Sequence, residues 1–160
     1  MTNRYGPAVT AGLIALLIVQ TFHMIEHVAQ VLQKFFLGQS EAHGLLGTIF
    51  DFEWVHFVFN GSLEFALVLI FIWWRRARGY QLPLSLRGAV GLQGYHVVEH
   101  VVKMYQYYFT GFPDPTKGIL GFVFPVIWVH FWMNLVVLAL IVVLVVGDGQ
   151  PVDSYVVSPQ

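Results

Sequence analysis

Residues 118–147 contain no Asp, Glu, Lys or Arg. A helix apolar on every face has nothing to offer water, so its place is a bilayer or the centre of a much larger core. The chain has 160 residues, enough for one domain and too few for such a core. Three further apolar stretches, 7–36, 47–74 and 83–109, also exceed the ~20 residues that a hydrocarbon core requires. The expectation is therefore an all-α membrane protein of four transmembrane helices. The first stretch is too long for a signal peptide and lacks a small-residue cleavage site, so it reads as retained.

Composition agrees. Hydrophobic residues make up 57% and charged residues 11%, against about 25% charged in soluble domains. A disordered chain and a nucleic-acid binder with a basic face are excluded. The absence of Cys excludes disulfides, thiolate metal sites, iron–sulfur clusters and Cys nucleophiles.

The linkers, 38–42, 75–81 and 111–117, are short, and the tail at 148–160 is polar. All five arginines, Arg4, Arg75, Arg76, Arg78 and Arg87, lie before the first span or around the middle linker. By the positive-inside rule that side is cytoplasmic, with both termini on it, in a membrane of the bacterial inner type.

The chain repeats itself. QTFHMIEHVAQVLQKFFLG (20–38) aligns with QGYHVVEHVVKMYQYYFTG (93–111) at eight of nineteen positions. GLLGTIFDFEWVHFVFN (44–60) aligns with GILGFVFPVIWVHFWMN (118–134) at nine of seventeen. One helical hairpin, 7–74, is followed by a second, 83–147. Two spans per copy give both copies the same orientation, related by a pseudo-twofold axis along the membrane normal.

The polar residues that match carry the chemistry. His23, Glu26, His27 and His56 correspond to His96, Glu99, His100 and His130. Gln20 corresponds to Gln93, Gln33 to Gln106 and Asn60 to Asn134. Only His43, in a linker, falls outside the set. The i, i+3, i+4 spacing puts His, Glu and His on one helix face. A rise of about 1.5 Å per residue sets His27, His56, His100 and His130 at roughly 14–18 Å from the span ends, so that all eight groups can meet near the midplane or slightly outward.

Charged groups at that depth cost at least about 2.5–3.5 kcal/mol each, so something must satisfy them. Six His and two Glu suit a dinuclear metal centre, each ion taking three His and the carboxylates bridging. Iron fits best, and zinc, copper or manganese are also compatible. Gln20, Gln93, Asn60 and Asn134, one turn away, would orient the imidazoles. Haem held by axial His is an alternative. So is a hydrogen-bonded network or proton path without metal. His-x-x-Glu-His also occurs in inverted zinc proteases, with Glu as base, which keeps an intramembrane zinc hydrolase open. In chemistry the chain is similar to the membrane di-iron hydroxylases and desaturases, but it lacks their His-x-x-His-His boxes, and no family is assigned.

Glu26, Glu99 and Glu53 are the candidate catalytic residues. Glu53, Glu64 and Asp51 correspond to Ile127, Leu138 and Pro125 and so break the symmetry. Glu53 is three residues before His56 and reads either as a ligand or proton donor, or as an interfacial polar residue. Glu64 is expected to face a cavity or a partner subunit. Lys34 and Lys103 are expected to snorkel to the outer interface. Tyr105, Tyr107, Tyr108, Phe109 and Phe112, with Trp73 and Trp74 at the other end, read as interfacial belts. Gly88, Gly91 and Gly94 allow close helix contact, and Pro125 is expected to kink the fourth helix.

Two function classes follow. One is an oxygen-dependent oxidoreductase acting on a lipophilic small molecule or quinol. The other is a non-catalytic metal- or haem-binding or electron-transfer subunit, in a homo-oligomer or larger membrane complex. Outer loops of five to seven residues leave little room for a soluble substrate and favour the second.

Overall fold

The computed structural model describes residues 7–78, 82–111 and 116–147. These form four long helices and two short 3-10 turns, with no strand among the described residues. The helices are α1 (Pro7–Phe35), α2 (Phe52–Arg78), α3 (Leu84–Phe109) and α4 (Val126–Gly147). α1, α2 and α4 are long and apolar enough to cross a membrane, which makes this an integral membrane protein. α3 carries Arg87, Gln93, Glu99, Lys103 and Gln106 and is less apolar. α2 and α4 each touch both α1 and α3, so the four helices close into a ring.

Each helix turns one seam inward. On α1 it is Leu13, Leu16, Gln20, His23, His27 and Gln30. On α2 it is Glu53, His56, Asn60, Leu63, Leu67, Ile70 and Trp74. On α3 it is Leu86, Ala89, Gln93, His96, His100 and Lys103. On α4 it is His130, Asn134, Val137, Ile141 and Leu144. Steps of three and four alternate throughout, which is the heptad spacing of helices packed knobs-into-holes. The seams stack in layers. The end near the chain termini is an apolar core of Leu, Ile, Val and Trp74. Toward the α1–α2 and α3–α4 hairpin loops come a Gln/Asn layer and then a His layer.

The hairpin loops differ from the expectation. The apolar runs starting at 47 and 118 do not begin helices. Gly44 and Gly118 take φ of 79° and 67°, a 3-10 turn follows (Leu46–Thr48 or Leu120–Phe122), and the helix starts later. At α2, Asp51 Oδ1 accepts the N–H groups of Glu53 and Trp54, both at 3.1 Å, an ordinary N-cap. At α4, Pro125 occupies the corresponding place and its carbonyl accepts the first N–H bonds, from Trp128 and Val129. Pro125 therefore opens the helix instead of kinking it, as suits a residue with fixed φ and no N–H.

Trp74 is 2% exposed and belongs to the core, not to an interfacial belt. Trp73 stands edge-on to it. Lys34 keeps to the loop end, donating to the Ser40 carbonyl. Gly88 and Gly94 serve packing against Leu140 and Glu64, whereas Gly91 faces outward with open space. Phe112, residues 113–115 and the 148–160 tail lie outside the described residues.

Candidate metal centre

The six matched histidines meet. His23, His27 and His56 form one buried group and His96, His100 and His130 another, with the ligand atoms of each group within 4.8 Å of one another. His23 and His27, four residues apart on α1, bring their Nε2 atoms to 2.9 Å. His96 and His100 on α3 do so at 3.2 Å. Two nitrogens bound to one ion at about 2.0–2.1 Å, roughly 90–110° apart, lie about 2.9–3.4 Å from each other. Both pairs have that separation.

The groups touch each other. Ring centroids of His27 and His130 are 6.2 Å apart, those of His56 and His100 5.9 Å, and those of His23 and His96 6.4 Å. Six imidazoles thus make one cluster with two lobes.

The orientation of the rings comes from unlike partners. His130 Nδ1 donates to the Val126 carbonyl at 2.9 Å. That fixes its tautomer and leaves Nε2 with a lone pair. This Nε2 is buried and has no hydrogen-bond partner among the described residues. His27 Nδ1 donates to Gln30 Oε1 at 3.0 Å, and Gln30 Nε2 donates to His56 Nε2 at 3.0 Å. Gln30 was not singled out from the sequence. Its position, one turn beyond His27 on the same face, was the available signal.

Gln20, Gln93, Asn60 and Asn134 do lie one layer below the rings, but they hold backbone and one another. Gln20 Nε2 donates to the backbone and side-chain oxygens of Asn134, at 3.0 and 3.1 Å. Gln93 Nε2 does the same to Asn60, at 3.2 and 2.8 Å. Each Asn then donates to the carbonyl of its own histidine, His56 or His130. The layer locks α1 to α4 and α3 to α2 directly beneath the cluster, so it supports the rings through backbone and not through their nitrogens.

Glu26 and Glu99 are placed elsewhere. Neither joins a His group among the described residues. Glu26 accepts the N–H groups of Leu45 and Leu46, at 2.6 and 2.9 Å. Glu99 accepts those of Ile119 and Leu120, at 2.5 and 2.7 Å. Gln33 clamps Gly44 through both its N–H and its carbonyl, and Gln106 clamps Gly118 in the same way. Glu26 is nine residues before the end of α1, or about 14 Å along the axis. The loop therefore dips beside the helix to that level. Non-helical backbone at membrane depth must find its partners inside the protein, and the carboxylate and amide supply them. Both carboxylates, expected to bridge two metals, are here bonded to loop N–H groups. A Cβ on Gly44 would collide with Glu26 Oε2, and one on Gly118 would come within 2.7 Å of Glu99 Oε2.

Lys103 is also corrected. It is 1% exposed, because its Nζ pairs with Glu53 Oε1 at 3.1 Å. Glu53 Oε1 also accepts from Thr116 Oγ1 at 2.9 Å. Glu53 is thus an interior group at the edge of the His cluster. In the register of the repeat Lys103 stands where Gln30 stands in the first hairpin, a mismatch visible in the alignment. Asp51 serves α2 as its cap and accepts from Tyr108 Oη at 3.3 Å. Glu64 is half-buried against Gly94 of α3.

The loops do leave room. A cavity of about 440 Å³ opens among Ser40, Glu41 and His43 at the hairpin end and reaches His27, His56, His100 and His130. The short loops were expected to leave little room, yet a cavity of this size lies beneath them.

None of the protein families, curated proteins or solved structures compared with the chain matches it.

Proposed function

We propose that this chain is an integral membrane metalloprotein that holds two metal ions side by side. His23, His27 and His56 would hold one, and His96, His100 and His130 the other, in a four-span bundle made of two like hairpins. The observation that carries the reading is the pair of buried all-His groups, each with two Nε2 atoms at ligand–ligand separation. A His130 Nε2 oriented by a backbone carbonyl and otherwise unpartnered supports it. Six rings with neighbouring centroids 4.8–6.4 Å apart leave space for ions and no slot for a macrocycle, which favours ions over haem. With the Glu residues engaged by backbone, the hydrolase reading loses its base.

Imidazole donors suit iron, copper, zinc and manganese. We favour iron and a redox role, because two adjacent one-electron centres match the two electrons that a quinol releases, with two protons, on becoming a quinone. Oxygen would be the acceptor, one O₂ taking the two electrons and two protons of one quinol to give hydrogen peroxide, or those of two quinols to give two waters. The hairpin loops would face outward and the termini the cytoplasm, as the arginines direct.

The test is metal-loaded, reduced protein in lipid nanodiscs, supplied with a quinol and followed for oxygen uptake. Oxygen uptake that stops on His130→Ala is expected. Loaded protein that stays reduced in air and consumes neither quinol nor oxygen would assign the centre to a non-catalytic role.

A further inference from the structure

The two lobes are built from matched residues, but they offer their third imidazole differently. His130 Nδ1 donates to the Val126 carbonyl at 2.9 Å, so its Nε2 carries the lone pair. That atom has no hydrogen-bond partner among the described residues. The second lobe therefore presents an oriented, uncapped third ligand. In the first lobe the matching atom is covered. Gln30 Nε2 donates to His56 Nε2 at 3.0 Å, while Gln30 Oε1 accepts from His27 Nδ1 at 3.0 Å. A neutral imidazole has one lone pair in its ring plane, so the amide and an ion compete for His56 Nε2.

The difference comes from one pair of positions. Lys103 matches Gln30 in the repeat, and its Nζ is held on Glu53 Oε1 at 3.1 Å. Glu53 matches Ile127, which offers no charge to draw Gln30 off His56. The Glu53 pairing also offsets the Lys103 charge beside the second lobe. Gln30 lines the cavity at the hairpin end, which gives its amide room to turn away from His56. We propose that Gln30 is a gate on the first lobe: the second lobe takes its ion first, and the first lobe fills only when the Gln30 amide leaves His56. This rests on the dinuclear reading above. A chain with one ion lacks the second one-electron centre, so Gln30 sets the metal level at which the pair is complete.

Cobalt(II) is the probe, titrated into the full chain in nanodiscs, with visible ligand-field absorption as the readout and bound cobalt counted on the same samples. Neighbouring dications repel each other, so the lobes are compared one at a time. His56→Ala leaves the second lobe intact and His130→Ala the first. The net worth of the hydrogen bond that must break makes His130→Ala bind cobalt about tenfold more weakly than His56→Ala. Adding Gln30→Leu to His130→Ala should recover that tenfold. The sign is the signature, because loss of a partner that merely orients His27 would weaken binding. If a His variant fails to fold, wild type and Gln30→Leu decide alone, and the gap between their two binding steps should narrow about tenfold in Gln30→Leu. Equal affinities in the two single-lobe proteins, or a first lobe unchanged or weakened by Gln30→Leu, overturn the gate alone. A folded wild-type protein that takes up no cobalt overturns the dinuclear reading and the gate with it.

Discussion

Gly38, Gly44, Gly111 and Gly118 all have positive φ, yet they are not equivalent. A Cβ at Gly38 meets nothing, whereas at Gly44 it meets the Glu26 carboxylate. Gly38→Ala should therefore cost only the left-handed penalty of about 1–2 kcal/mol. Gly44→Ala should cost more, because the loop must also leave its carboxylate. Thermal unfolding of both variants in the same detergent checks the difference, and equal losses would show that the Glu26 contact adds nothing. The role of Glu26 itself separates by chemistry. Glu26→Gln weakens two charge-assisted hydrogen bonds, each worth about 1.5–3 kcal/mol, so stability should fall while the metal content stays that of the wild type. Loss of metal in a folded Glu26→Gln protein would instead return the carboxylate to the ligand set.

The helices and the six histidines are legible because two different periodicities announce them. The apolar runs give spans by length, and the duplicated His-x-x-Glu-His string with a later Trp-Val-His-Phe picks out the polar face without any structure. The loops are not legible for the opposite reason. Their residues, such as Leu45, Ile49 and Phe50, are apolar and exposed, so a re-entrant turn and a helix start look alike by composition. The role of Glu26 is hidden with them, since it depends on a loop some twenty residues on. Lys103 is missed because the sequence gives no sign that Glu53, on another helix, reaches it. At the level of elements the Gln/Asn layer is the testable joint. Gln20→Leu and Asn134→Leu should each lower stability by about 0.6–1.7 kcal/mol, the range for interhelical hydrogen bonds in membranes. The double variant should lose little more than either single, because the two residues share one contact. Additive losses would mean that they act apart.

For the molecule as a whole, polarity runs along the bundle axis. One half is a plain apolar core, which gives the helices their register. The other half gathers six imidazoles, two loop-holding carboxylates and one ion pair beneath an open cavity. A bundle that needed only to stand in lipid would have no use for six buried rings without carboxylate partners. The claim that they hold metal is tested most directly by elemental analysis of protein purified after growth with added iron, for wild type, His27→Ala and His130→Ala. The account predicts about two ions per wild-type chain and about one in each variant. Less than about half an ion per folded wild-type chain, or the same content in all three proteins, would contradict it.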